Sequence, residues 1–200
     1  MRSKWAWIGV LVDVVAAAVG VPVGLLLAKD RSPATYVAMG DSLAAGVGAL
    51  PDEQKGQLGY VGRFNQWFVG SREGPYSLAN VGVAKAGGET SPTFISDGQL
   101  AAAKAAIDDT KTDVQVVTLN IGGNDLDNLR DPAGPCALPA PNPEVCLPAA
   151  QLTIGLLAYR HAFTLASLQA ALAADPGDET VLVMGLYNPY KGTGVPFEGL

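Results

Sequence analysis

The chain has 200 residues, 48% of them hydrophobic, and its 13 basic and 19 acidic side chains give a formal net charge of -6. That length allows one domain plus a leader. The acidic balance would repel phosphate backbones and excludes nucleic acid as a partner.

The leader opens with Arg2 and Lys4, followed by an apolar run from Trp5 to Ala28 that only Asp13 and Pro22 interrupt. The run spans 24 residues, about 36 Å as a helix, which is enough to cross a hydrocarbon core of about 30 Å. Positive charge before it favours a cytoplasmic N-terminus and an exported body. Residues 1–31 therefore read as a signal peptide or an N-terminal membrane anchor. The anchor is favoured because Leu26-Leu27-Ala28 is a poor Ala-x-Ala cleavage site, while Asp13 inside the run keeps cleavage open. Residues 32–200 form the domain, expected outside the cytoplasm, either membrane-anchored or secreted.

Beyond the leader, strands alternate with helices. Thr35 to Met39 is the first predicted strand, and it feeds Gly40-Asp41-Ser42-Leu43 at an expected strand-to-helix turn. Tyr60, Phe64, Trp67 and Phe68 give a helical stripe over residues 58–69. Tyr76 to Val81 is the second strand. Asp97 to Asp108 is an Ala-rich helix that Ser96 or Asp97 can cap. Val114 to Ile121 is β-branched and apolar on both faces, the pattern of a central parallel strand. Residues 132–146 read as a proline-rich loop with no hydrophobic period. Its Cys136 and Cys146 are read as a disulfide, since an exported body permits one and the spacing fits no zinc motif. Gln151 to Ala174 is a long helix with the apolar stripe Leu157, His161, Leu165, Leu168 and Leu172. Thr180 to Tyr187 is the fourth strand. The alternation argues for a parallel sheet with helices on both faces.

Three segments at the carboxyl ends of these strands carry chemistry. They are Gly40-Asp41-Ser42-Leu43, Asn80 to Thr90 with Gly87-Gly88-Glu89-Thr90 at its end, and Gly122-Gly123-Asn124-Asp125. In this order they resemble the first three blocks of the GDSL, or SGNH, hydrolases, and Tyr187-Asn188-Pro189-Tyr190 is similar to a segment many members carry. The resemblance covers residues 34–190. It implies a three-layer, flavodoxin-like α/β fold with strand order 2-1-3-4-5, here without the fifth strand and its helix, so that strand four is left as an open apolar edge.

The resemblance also implies roles. Ser42 is the nucleophile, and its N–H, the N–H of Gly88 and the carboxamide of Asn124 are the oxyanion-hole donors. Gly87 and Gly82 are rivals for the glycine. The substrate would be a lipid, acetylated sugar or small ester, attacked through an acyl-enzyme with no metal or organic cofactor. One block is missing: the family's Asp-x-x-His, which supplies the base. The only histidine, His161, follows Ala158-Tyr159-Arg160 and sits on the apolar stripe, where it reads as a packed helix residue. Asp41 and Asp125 read as loop residues that accept backbone N–H bonds. The expectation is an exported serine esterase of which this chain is a fragment, inactive on its own. The alternative is a non-catalytic, membrane-anchored SGNH-like binding module. A dinucleotide site is excluded because Gly40, Gly46 and Gly48 do not form Gly-x-Gly-x-x-Gly.

Overall fold

A computed structural model describes residues 32–49, 55–71, 74–83, 88–109, 111–137, 141–174 and 178–185. The chain divides into two units, Met1–Ser32 and Pro33–Leu200. The leader and the Tyr187-Asn188-Pro189-Tyr190 segment lie outside the described residues. Among the described residues, no helix is long and apolar enough to cross a membrane.

The second unit is built on four parallel strands, β1 (Ala34–Gly40), β2 (Tyr76–Asn80), β3 (Asp113–Asn120) and β4 (Thr180–Val183), in the order β2-β1-β3-β4. The expected α/β class and strand order are present. Its helices are α1 (Lys55–Leu58), α2 (Tyr60–Gly70), α3 (Ser91–Ser96), α4 (Gln99–Ile107), α5 (Gly123–Asp127) and α6 (Pro143–Leu172).

Strand periodicity sorts β1 into two faces. Val37 and Met39 pack with Val117 and Leu119 against Phe94, Leu100, Ile107, Leu168 and Leu172 from α3, α4 and α6. Tyr36 and Ala38 pack with Val116 against Val61 and Phe68 of α2. Helices thus cover both faces and make three layers. Tyr36 through Met39 are each 0% exposed, and burying a large apolar side chain contributes about 1.5–3 kcal/mol. Tyr36 reaches Phe64 edge-on with ring centroids 4.9 Å apart, and its buried hydroxyl pairs with Thr118 Oγ1 at 2.8 Å. In β3 the register shifts opposite Thr35/Tyr36, leaving Gln115 without a partner in β1. That bulge moves Val114 onto the same face as Val117 and Leu119, which strict alternation would forbid.

Three predicted elements are corrected. The chain after Ser42 is not a helix: residues 42–48 are turns. The Ala-rich helix starts at Gln99 rather than Asp97, because Asp97 closes α3 and Gly98 turns the chain at φ +90°. The long helix starts at Pro143, inside the segment read as a loop. Proline is tolerated at the first helical position, and Asn142 Oδ1 caps it by accepting the Glu144 N–H at 3.0 Å. Pro148 lies within α6, where its missing N–H costs a backbone bond.

Cys136 and Cys146 are joined as expected, with Cα atoms 4.7 Å apart, and both are buried. The bridge ties the first turn of α6 to the chain after α5. Replacing both cysteines by serine is expected to lower stability by about 2–3 kcal/mol in the chain-entropy view. Thermal melting should record this as a fall of about 4–12 °C.

On the far side of the sheet, β4 pairs only with β3 among the described strands. Leu182 and Val183 stand exposed there.

Candidate active site

The carboxyl end of β1 builds the serine turn. The ladder to the chain after β2 continues past the strand, with Val81 N–H donating to Ala38 O at 2.8 Å and Val83 N–H to Gly40 O at 3.1 Å. On the other side, Asp41 N–H donates to Asn120 O at 3.0 Å. Gly40 has φ +146°, and a Cβ on it would lie 2.0 Å from Asn120 O, so only glycine fits between these strands. Ala45 N–H then bonds Asp41 O, Gly46 N–H bonds Leu43 O, and Val47 N–H bonds Ser42 O. These spacings of four, three and five residues, with Gly46 and Gly48 at φ +89° and +85°, stop any helix from propagating. Ser42 is half-buried on this turn.

Asp41 is 4% exposed, and one of its carboxylate oxygens, Oδ1, accepts the Leu43 N–H at 2.9 Å. Burial pushes its carboxyl above the ordinary value of 3.8, the Leu43 N–H pulls it partly back, and the nearby Glu89 charge pushes it up again. A raised carboxyl means that the folded state holds the proton more tightly than the unfolded chain. Its stabilising contribution is therefore full below 3.8 and is lost as pH rises through the raised folded value. Asp41→Asn keeps an acceptor for Leu43 and removes the titration. Urea melts of this variant should show a flatter decline of stability across that window than the parent.

The second loop is held to the first by Asn80. Its Nδ2 donates to Ala44 O at 3.0 Å, while its Oδ1 accepts the Gly82 N–H at 3.0 Å. Gly82 backs onto Ala44: a Cβ there would lie 2.7 Å from the alanine methyl. That contact accounts for Gly82 by close packing. Gly87, the other rival, lies outside the described residues.

Gly88 and Asn124 abut. At φ +77°, a Cβ on Gly88 would lie 2.4 Å from Asn124 Cγ and 2.8 Å from its Nδ2. The same Nδ2 donates to Glu89 O at 2.8 Å, leaving its second N–H for another acceptor. Gly122, at φ +115°, makes the turn from β3 into α5 and so places Asn124. Asp125 is buried. It accepts Ser91 N–H at 2.7 Å and Ser91 Oγ at 2.6 Å, with Arg160 Nη1 3.8 Å away. Arg160 Nη1 also donates to Ser91 Oγ at 3.3 Å. The sequence reading of Asp41 and Asp125 as acceptors of backbone N–H bonds holds. It missed Ser91 and Arg160, whose separation from Asp125 in the chain hides the pairing.

Ser42, Gly88 and Asn124 thus all stand past the carboxyl ends of adjacent strands, where doubly wound sheets bind ligands. Gly40 lies opposite Asn120 in the sheet register, which sets the serine and asparagine turns side by side. His161 is on α6, with Nδ1 3.0 Å from Leu157 O of its own helix. Among the described residues, no group of three His, Cys, Asp or Glu side chains is placed to hold a metal ion.

The fold and its rim define a three-layer parallel α/β protein of the hydrolase-like, doubly wound kind. Residues 38–198 match the model of the GDSL-like Lipase/Acylhydrolase family, and the chain belongs to that family. Among solved structures it is similar to the crystal structure of an extracellular lipase from Streptomyces rimosus, with 21% identity over 76% of this chain and 59% of that one and a TM-score of 0.45. The chain therefore spans 59% of the length of that lipase. No curated protein matches it.

Proposed function

We propose that this chain carries the acyl-transfer site of an exported serine ester hydrolase acting on O-acyl esters. Ser42 Oγ attacks the ester carbonyl carbon while a base takes its proton. The tetrahedral oxyanion is held by the N–H groups of Ser42 and Gly88 and by Asn124 Nδ2. The alcohol leaves, an acyl-enzyme remains, and water releases the acid. The observation that carries this reading is the contact of Gly88 with the Asn124 carboxamide, whose Nδ2 has an N–H to spare. The reading rests on this nearness of the Gly88 backbone to a side-chain donor, the two kinds of donor that oxyanion binding uses. The disulfide and the apolar leader support export.

A second reading is a non-catalytic, membrane-anchored module that binds an acyl or glycan ligand. The position of His161 favours it, because the chain's one histidine pairs with its own helix. Labelling of the full-length gene product with a fluorophosphonate separates the two. The hydrolase reading expects one adduct, mapped to Ser42 by peptide mass and abolished by Ser42→Ala. A full-length product that stays unlabelled supports the binding module instead.

A further inference from the structure

We propose that Gln99 is a positioning residue for the serine turn, an assignment that rests on Ser42 being the nucleophile. In a parallel ladder, a residue whose carbonyl accepts from one neighbour donates its own N–H two residues back along the same strand. Val83 N–H donates to Gly40 O, so the regular acceptor for Gly40 N–H would be the Val81 carbonyl. Gly40 N–H instead donates to Gln99 Oε1 at 2.6 Å. The carboxamide of Gln99, the first residue of α4, takes the place of a sheet carbonyl at the last rung before Ser42.

The amide orientation follows from its partner. Gly40 offers a donor, so the oxygen must face it. Gln99 is 5% exposed, and its Nε2 has no hydrogen-bond partner among the described residues. A buried, unmet donor is a stability cost, borne here by the same side chain that meets the Gly40 N–H. That cost is retained where the oxygen fixes something. Gly40 cannot be held by a side chain of its own, and Asp41 and Ser42 follow it directly. Gln99 therefore sets the height of the turn above the sheet through one short bond, from a helix that packs on the opposite side of the chain from α2.

Gln99→Met keeps length and burial but removes the acceptor. It exchanges one unmet donor, Nε2, for another, Gly40 N–H, so the melting temperature should change little. The expected result is faster hydrogen exchange at Gly40 by about tenfold or more, with Val37 and Val117 unchanged. In the full-length gene product, kcat for p-nitrophenyl acetate should fall about 10²-fold with KM held within about twofold, since misplacement of a reacting group costs that much. Gln99→Asn, one methylene too short to reach Gly40, should give the same pattern should the methionine variant fail to fold. Unchanged Gly40 protection, loosening of the whole sheet in step with the melting temperature, or an unchanged kcat overturns the proposal. Ser42→Ala separates the two failures. If it leaves turnover intact, the hydrolase reading falls and this proposal with it. If it abolishes turnover while Gln99→Met does not lower kcat, only the role of Gln99 falls.

Discussion

Joining this chain to a C-terminal segment that supplies Asp-x-x-His is expected to raise its ester hydrolysis by about 10⁴-fold or more, the usual consequence of supplying a missing triad member. The reason is chemical. A serine hydroxyl is a weak nucleophile until a base removes its proton, and His161 is engaged with the Leu157 carbonyl on α6. Asp41 and Asp125 do not substitute for it, since Asp41 is spent on the Leu43 N–H of its own turn and Asp125 on the N–H and hydroxyl of Ser91 in α3. Residues 32–200 alone should therefore show only the residual turnover that oxyanion binding supplies. Initial rates on p-nitrophenyl acetate for the chain with and without the added segment are the measurement. Comparable rates from both would mean that the base lies elsewhere in this chain or that Ser42 does not act as proposed.

Gly40→Ala is expected to destabilise the domain by about 3–5 kcal/mol, combining strain at an unfavourable φ with overpacking. The added methyl would lie 2.0 Å from Asn120 O and 3.2 Å from Ala44 Cβ. The first of these is backbone in the central pair of strands and cannot rotate away. Relief requires β1 and β3 to part at their carboxyl ends, which breaks the Asp41 N–H bond to Asn120 O and moves Ser42 with it. Chemical denaturation should show a lower midpoint with an unchanged m-value. Gly70→Ala is the control, since a Cβ at Gly70 meets nothing within 4 Å. A Gly40→Ala protein as stable as the control would mean that the close approach of these strands is not required.

Much of the architecture was legible because its signals are local. The β-branched run of β3 and the short apolar run of β1 carry the pattern of strands buried on both faces of a parallel sheet, while the strand order came from the family resemblance. The stripe on α6 was also visible, as Leu157, Leu168 and Leu172 are buried. What misled was local as well. Pro148 argues against a helix from Pro143, because a proline removes one bond of the ladder. The cap at Asn142 and the disulfide at Cys146 stabilise that turn from outside the pattern. Asp97 has every property of an N-cap, yet it closes α3 while Gly98 redirects the chain.

The candidate site divides in the same way. The family resemblance, carried by three blocks in order along the chain, singled out Ser42, Gly88 and Asn124, with Gly87 and Gly82 as rivals for the glycine. Which side chains hold those three was decided only on folding. Asp125 meets Ser91 and Arg160, and Gly40 meets Gln99, across intervals of 34 to 59 residues. A sequence records the periodicity that drives burial because burial is additive along each element. It does not record such pairings, because hydrogen-bond geometry exists only after the sheet register and the helix packing have brought the partners within reach.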